Sequence, residues 1–359
     1  MSISSVPGPS SIVEKAASQF IPIPCDNLAG SGCCVFTLKE KPMTHKHLHP
    51  LLNALTAACL VMGWSVSSLA ANTTPATHHI KTVFIILMEN HNWTGDGNLD
   101  IKNNPAAPYI NKTLVPMASH AEQYFNPPNL HPSLPNYLWL EAGTNFGILD
   151  DGPPSQHPLP SKLHLVTLMK KANISWKAYL ENTTGKVCPL TDSGEYAVRH
   201  EPFAYFDDTS NHQNPQSKYC IAHLRPYTEL ATDLKNGTLP QYVWITPNLC
   251  DDMHDSCNGG DPIKQGDTWL SQNVPAILKS AAFKKGGALF IVWDEADNGD
   301  GPIPMIVLSP FAKGKGYSNQ THYTHGSMLR TFEEIFGLKP LMRDAGKEKD
   351  LSDMFTVFP

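Results

Sequence analysis

"TVFIILMEN", residues 82–90, runs through six strongly apolar side chains from Val83 to Met88 and stops at a carboxylate and a carboxamide, Glu89 and Asn90. A continuous apolar run of this length has no polar alternation, so it reads as a strand buried on both faces, the mark of a parallel sheet covered by helices. Glu89 and Asn90 then call for a binding partner, because such groups resist burial when nothing holds them. Short runs bounded by polar or turn residues recur at Gln241–Thr246, Ala288–Trp293 and Met305–Leu308. Between them lie segments with helical spacing: "PSKLHLVTLMKKAN" (160–173), "HLRPYTELATDLKNG" (223–237) and "TWLSQNVPAILKSAAF" (268–283). The alternation predicts an α/β fold with a mostly parallel central sheet and helices on both faces. The polar, turn-rich stretch around 185–220, bounded by Cys188 and Cys220, reads as an insertion or a lid on that core. No period of 20 to 50 residues repeats, which argues against solenoids and propellers.

Composition narrows the function. At 359 residues, 41% hydrophobic and 17% charged, the chain has ordinary globular composition and can bury a large core. A net charge of -6, with Lys and Arg never clustered beyond pairs, offers no basic face, so nucleic acid is set aside as a partner. Nothing in the pattern points to a protein partner either. The 31 prolines and 16 histidines suggest loops that carry polar chemistry.

From Met43 the chain shows a basic beginning, an apolar stretch around Leu51–Trp64 and a small-residue end at Ser68–Ala71, the pattern of a signal peptide over 43–71 cut near Ala70/Ala71. Residues 1–42 would then be an upstream extension of uncertain reality, and 72–359 a single domain, secreted or periplasmic, with no stable membrane span in the mature chain. The mature chain would keep Cys188, Cys220, Cys250 and Cys257. An even number in an oxidising compartment suggests two bridges, paired between neighbours as Cys188–Cys220 and Cys250–Cys257.

Ligands in open α/β sheets bind beyond the carboxyl ends of the strands. There the runs deliver Glu89 and Asn90; then Asn248, Asp251, Asp252 and His254 in "TPNLCDDMHDSC" (246–257); then Asp294 and Glu295 in "WDEADNGDG" (293–301). Crowded carboxylates repel, and a cation is the usual way to hold them together. Oxygen donors plus histidine suit Mg²⁺, Mn²⁺, Ca²⁺ or Zn²⁺ without choosing among them. In "NLHPSLPNYLWLEAGT" (129–144), Ser133 stands at the start of a helix with Pro135 in its first turn. It is either a nucleophile or a helix cap. Farther on, His322 and His325 precede a helix with apolar spacing at Met328, Leu329, Phe332, Ile335 and Phe336, and His325 is the favoured ligand or phosphate contact.

In this order and spacing, "ILMEN", "HPSLPNY", "TPNLCDDMHD", "GDTWL", the Asp294–Glu295 pair and "YTHGSMLRTFEEIFGL" resemble the phosphoesterase family of bacterial and fungal acid phosphatases and bacterial phospholipases C, within the alkaline-phosphatase-like superfamily. The resemblance covers about residues 80–340. It implies one or two divalent metal ions, with Glu89, Asn90, Ser133, Asp294 and Glu295 as ligands. It implies that Asn136, Asp252, His254 and His325 line the phosphate pocket or hold a second metal, with Asp267 a less secure member. Sulfatases of the superfamily carry Arg where this chain has Tyr137, so phosphoryl rather than sulfuryl transfer is implied. Ser133 would attack phosphorus and form a phosphoserine that water opens, with His254 or His325 protonating the leaving oxygen. The implied substrate is a small phosphomonoester, which makes the chain an acid phosphatase. One alternative is a phospholipase C acting on a phospholipid, served at a lipid surface by Trp139, Phe146, Trp176 and Tyr179. Another is a non-catalytic protein that binds phosphorylated ligands.

Overall fold

The computed structural model describes residues 78–160 and 162–359. The expected upstream extension, signal peptide and cleavage point therefore lie outside the described residues. Eight strands form one sheet: β1 Thr82–Met88, β2 Ser119–Phe125, β3 Trp176–Leu180, β4 Leu224–Pro226, β5 Tyr242–Thr246, β6 Gly287–Trp293, β7 Met305–Leu308 and β8 Tyr317–Thr324. Their order is β4-β3-β5-β1-β6-β7-β2-β8, and only β7 runs against its neighbours. The expected α/β class and mostly parallel sheet are what the chain adopts.

The opening run forms the middle of the sheet, with every side chain from Val83 to Met88 fully buried. Each such aliphatic or aromatic side chain stabilises the fold by roughly 1.5–3 kcal/mol. Its neighbours β5 and β6 are buried along their whole length. Alternation along the strands sends Ile85, Phe290 and Tyr242 to one face and Met88 to the other, given the registers Ile85↔Phe290 and Val83↔Tyr242. Phe332 of the helix His325–Ile335 packs on Phe290 and Tyr242. On the opposite face Gly266, in the helix Pro262–Lys279, comes so near that a Cβ there would stand 3.1 Å from Met88 Cε. Helices thus cover both faces, and no helix among the described residues is long and apolar enough to cross a membrane.

The remaining strands were not legible as apolar runs. β8, "YSNQTHYT", is an edge strand with mostly accessible side chains, and β4 is a three-residue strand at the other edge. In β2 the polar residues are taken up by hydrogen bonds: Glu122 Oε2 accepts from Trp93 Nε1 and Lys102 Nζ at 2.7 and 2.6 Å, and the Ser119 hydroxyl donates to Met354 O at 2.8 Å. The stretch 223–237, expected to be helical, starts as β4 and becomes helical only at Thr228–Asn236, after Pro226.

Of the two readings for the region around 185–220, the structure favours an insertion. Phe203, Ala204 and Tyr205 are fully buried, and Phe203 packs edge-on against Trp244 of β5. The bridges join Cys188 to Cys220 and Cys250 to Cys257, as expected. By loop length alone the first stabilises by about 4 kcal/mol and the second by about 2.

Where this insertion meets the helix Ser133–Ala142, His164 is fully buried between Glu141 (Nδ1 to Oε1, 2.7 Å) and Asp208 (Nε2 to Oδ1, 2.8 Å) and stacks on Phe206. Burial alone would lower its pKa, but the hydrogen bonds to Asp208 and Glu141 overcome it and carry the pKa to about 9. The Asp208 carboxyl is held below its ordinary value by the same bond, whereas burial leaves Glu141 raised, so Asp208 is the ionic partner. A raised folded-state pKa stabilises fully below pH 6.5, and the contribution is lost as pH climbs through about 9. Denaturant unfolding between pH 6 and 9.5 is expected to show wild type losing about 3 kcal/mol relative to His164→Gln. A constant difference between the two would show that His164 is neutral in the fold.

Candidate active site

Three adjacent parallel strands end at the same edge, and the register decides which of their side chains meet. Met88 pairs with Trp293, so Glu89 and Asp294 leave β1 and β6 at the same level, and the Asp294 N–H donates to Met88 O at 3.1 Å. On the other side the Glu89 N–H donates to Asp252 O at 2.8 Å, which seats the loop after β5 beside β1. Glu89, Asp252 and Asp294 are all fully buried, and Glu295 nearly so.

The helix Ser133–Ala142 points its first residue at this cluster. The Ser133 hydroxyl makes no helix cap; it donates across the site to Glu89 Oε2 at 3.0 Å. The hydroxyl thus faces the acids instead of its own helix backbone. One turn on, the Tyr137 hydroxyl donates to Glu89 Oε1 at 2.5 Å, so each oxygen of Glu89 has its own partner from one helix face. Asn136 donates its amide to Glu295 Oε2 at 3.2 Å and to the carbonyls of Leu130 and Pro132. Glu295 Oε2 also contacts His131 Nδ1. Asn90, with φ of 27°, lies in a left-handed turn, and its N–H donates to Asp294 Oδ1 at 3.3 Å.

His200, from the short helix Val198–His200 in the insertion, completes the cluster. Its Nε2 lies 3.1 Å from Glu89 Oε1 and its Nδ1 3.3 Å from Asp252 Oδ2, and its ring stacks flat on Tyr137. These are ion-pair distances without hydrogen-bond alignment: Nε2 and Asp252 Oδ2 both stay unpartnered. The sequence reading missed His200 because no apolar strand precedes it. The only signal was a histidine in "AVRHEPF", at the foot of a prolyl turn.

The other expected members are distributed as follows. His254 stands at the rim, with its Nδ1 2.7 Å from Asp255 Oδ1 and its ring 5.8 Å from that of His200. The Cys250–Cys257 bridge closes the loop that carries it and Asp252. His325 is corrected: it lies behind Asp294, with Nε2 on the Asp294 carbonyl at 2.5 Å and Nδ1 on the Tyr124 hydroxyl at 3.0 Å. With both nitrogens engaged and burial holding its pKa down to about 4, it positions Asp294 and has no free nitrogen for a phosphate or a leaving oxygen. His322 is exposed and stacks on Phe125. Asp267 accepts from the Tyr109 and Ile110 N–H groups and anchors that segment. Asn248 and Asp251 build the turn after β5. Trp176 and Tyr179 are buried core residues, not a lipid-facing surface.

Electrostatically the cluster is unfavourable by itself. Burial, then the charges of Asp294 and Asp252, push the Glu89 carboxyl well up. Burial likewise raises Asp252, Asp294 and Glu295. Burial and the nearby Arg199 and His254 hold His200 well down, in its neutral, ligating form.

Do these groups fit a divalent cation? The Asn90 carboxamide oxygen faces Glu89 Oε2 at 2.5 Å and Asp294 Oδ1 at 3.3 Å, acceptor against acceptor, unless the amide is turned over. Asp294 Oδ2 and Asp252 Oδ2 are buried without a partner. Atoms of Glu89, His200 and Asp252 all lie within 4.8 Å of one another. Oxygens converging on oxygens, with one neutral imidazole, match the donor set of a hard or borderline divalent ion.

Fold and site together define an α/β protein with a buried acidic cluster set against a serine hydroxyl at a helix start. It belongs to the phosphoesterase family, whose model matches residues 104–339. A phosphate-repressible acid phosphatase of Penicillium chrysogenum is 29% identical over 226 residues, covering 59% of this chain and 51% of that one. A phosphatidylinositol-3-phosphatase of Mycobacterium tuberculosis is 28% identical over 306 residues, covering 83% and 91%. The chain thus spans about half the length of the fungal relative and most of the mycobacterial one. A solved Bacteroides thetaiotaomicron structure from work on glycosaminoglycan metabolism superposes with a TM-score of 0.50 over 78% of each chain at 11% identity, a likeness of fold alone.

Proposed function

We propose that this chain is an exported, metal-dependent phosphoric ester hydrolase that acts on phosphomonoesters through a phosphoserine at Ser133. The observation that carries the reading is the Ser133 hydroxyl aimed at Glu89 Oε2 inside a cluster of buried, mutually repelling acids. Glu89, Asn90 and Asp294, with Ser133, would hold one divalent ion, and Glu89, His200 and Asp252 offer a second donor set. Glu295, engaged by Asn136 and His131, would support the first set. When bound, such an ion supplies positive charge that favours the ionised serine oxygen and the charge gathering on the phosphoryl oxygens.

The chain's own residues set the rest. Tyr137 occupies Glu89 Oε1, which leaves Oε2 toward the serine proton. Ser133 Oγ bonds to phosphorus as the bond to the leaving oxygen breaks, and water later opens the phosphoserine. His254 is the candidate donor to the leaving oxygen: Asp255 fixes its Nδ1 side, so Nε2 is the nitrogen left for a ligand. The two bridges fit an oxidising compartment, which supports export.

With each divalent ion in turn, nitrophenyl phosphate is expected to be hydrolysed with a kcat/KM at least about tenfold above that for nitrophenyl phosphocholine, because Trp176 and Tyr179 are buried and only Trp139 and Phe146, both half-buried, are left to meet a lipid. Phosphatidylinositol 3-phosphate, which carries a monoester at its 3-position and a diester to its glycerol, belongs in the panel because of the mycobacterial relative's name, with release of inorganic phosphate as the monoesterase readout. A reversed ratio would make the chain a phospholipase C. No turnover of any ester would make it a phospho-ligand binding protein.

A further inference from the structure

A monoester brings two negative charges to a site already lined by Glu89, Asp252, Asp294 and Glu295, so the chain needs a cation of its own beside Ser133. Arg199 stands there. It precedes His200 in the chain, its side chain is 18% exposed, and its Nε lies 3.5 Å from Asp151 Oδ2. Asp151 is itself fixed to the start of the Ser133 helix, where its Oδ1 accepts from the Leu134 N–H at 3.0 Å. The guanidinium is therefore tied to the nucleophile's helix on one side and to the His200 segment on the other. Its positive charge acts on both Asp252 and His200. Asp151 holds the Nε side of the group. Among the described residues no hydrogen bond ties down the two terminal nitrogens, and they are not among the buried unpartnered atoms, so they remain open to a ligand.

We propose that Arg199 is the specificity-determining residue of this site: its two terminal nitrogens grip the unesterified oxygens of a phosphomonoester, and Asp151 positions the fork. This rests on the phosphomonoesterase reading above. A planar guanidinium matches two phosphoryl oxygens with parallel hydrogen bonds, whereas an ammonium offers only a point charge. A diester carries one charge fewer and has a second ester group where one of those bonds would form. Arginine at this place therefore favours monoesters by more than it favours phosphate in general.

The test compares wild type, Arg199→Gln and Arg199→Lys, each loaded with the same divalent ion and matched for metal content and unfolding midpoint. In Arg199→Gln, kcat/KM for nitrophenyl phosphate is expected to fall about 10- to 100-fold, and that for bis-nitrophenyl phosphate about threefold or less. Arg199→Lys should recover only part of the monoester loss. Equal losses on both esters, or an unchanged monoester rate, would overturn the assignment. Calorimetric binding of inorganic phosphate decides the matter independently of turnover: affinity should drop at least about tenfold in Arg199→Gln, and equal affinity sinks the inference. If wild type hydrolyses neither ester, the phosphomonoesterase reading fails, and the calorimetry still decides whether Arg199 holds phosphate.

Discussion

Replacing Ser133 by alanine is expected to lower kcat for nitrophenyl phosphate by roughly 10³-fold or more, because the substitution removes the oxygen that forms the covalent intermediate. The fold should persist. The lost interaction is one hydrogen bond to Glu89 Oε2, worth about 1–3 kcal/mol to a charged acceptor, which moves the unfolding midpoint of a chain this size by only several degrees. Metal content should also be retained, since Glu89, Asn90, Asp252, Asp294 and His200 remain in place. Quenching wild type during turnover of labelled substrate should trap the label on Ser133. Activity within about tenfold of wild type in Ser133→Ala, with no trapped label, would mean that water attacks phosphorus directly and that the serine only orients it.

The second large effect is expected from removing the cation. Exhaustive chelation should abolish turnover, and one divalent ion should restore it. It should also lower the unfolding midpoint, because an ion that binds only the folded chain stabilises by about 2.7 kcal/mol at a hundredfold excess over its dissociation constant. The physical cause is the set of acids raised by burial and by one another, with Asp294 Oδ2 and Asp252 Oδ2 left without donors. His200→Ala separates the two donor sets. It should weaken or abolish the set with Glu89 and Asp252 and leave the one with Asn90 and Asp294, so that elemental analysis reports a change in stoichiometry. A chelated protein, shown to be free of metal, that kept both its activity and its midpoint would refute the cation-held cluster.

The catalytic reading depends more on strand register than on any motif. The six apolar residues before Glu89 were legible because a strand buried on both faces cannot alternate, and the same logic located β5, β6 and β7. Edge strands obey no such rule. β8 leaves most of its side chains at least partly accessible and β4 is three residues long, so neither left a pattern to find. Ser133 was legible as a helix-start serine, but a cap and a nucleophile look alike in one dimension. The distinction lies in whether the hydroxyl turns to its own backbone or to Glu89, 44 positions away.

Histidines show the same limit from both sides. His325 stood hard against a helix start and looked available, yet the fold spends both its nitrogens on Tyr124 and the Asp294 backbone. His200 and Arg199 lay in a polar stretch with no periodicity, and the insertion brings them to the acids. No local spacing encodes that approach.

By itself, then, the sequence determined the α/β class, the central strands, the even count of four cysteines that makes two bridges possible and the acids at the strand ends, because each follows from burial, periodicity or parity along the chain. Only the tertiary structure decided which side chains share one space. Met88 pairing with Trp293 brings Glu89 level with Asp294, the insertion turns His200 toward Glu89 and Asp252, and Asp151 ties Arg199 to the start of the serine helix. The reason is physical: contacts between residues far apart in the chain are set by sheet register and packing, which a linear pattern of polar and apolar residues constrains but does not specify.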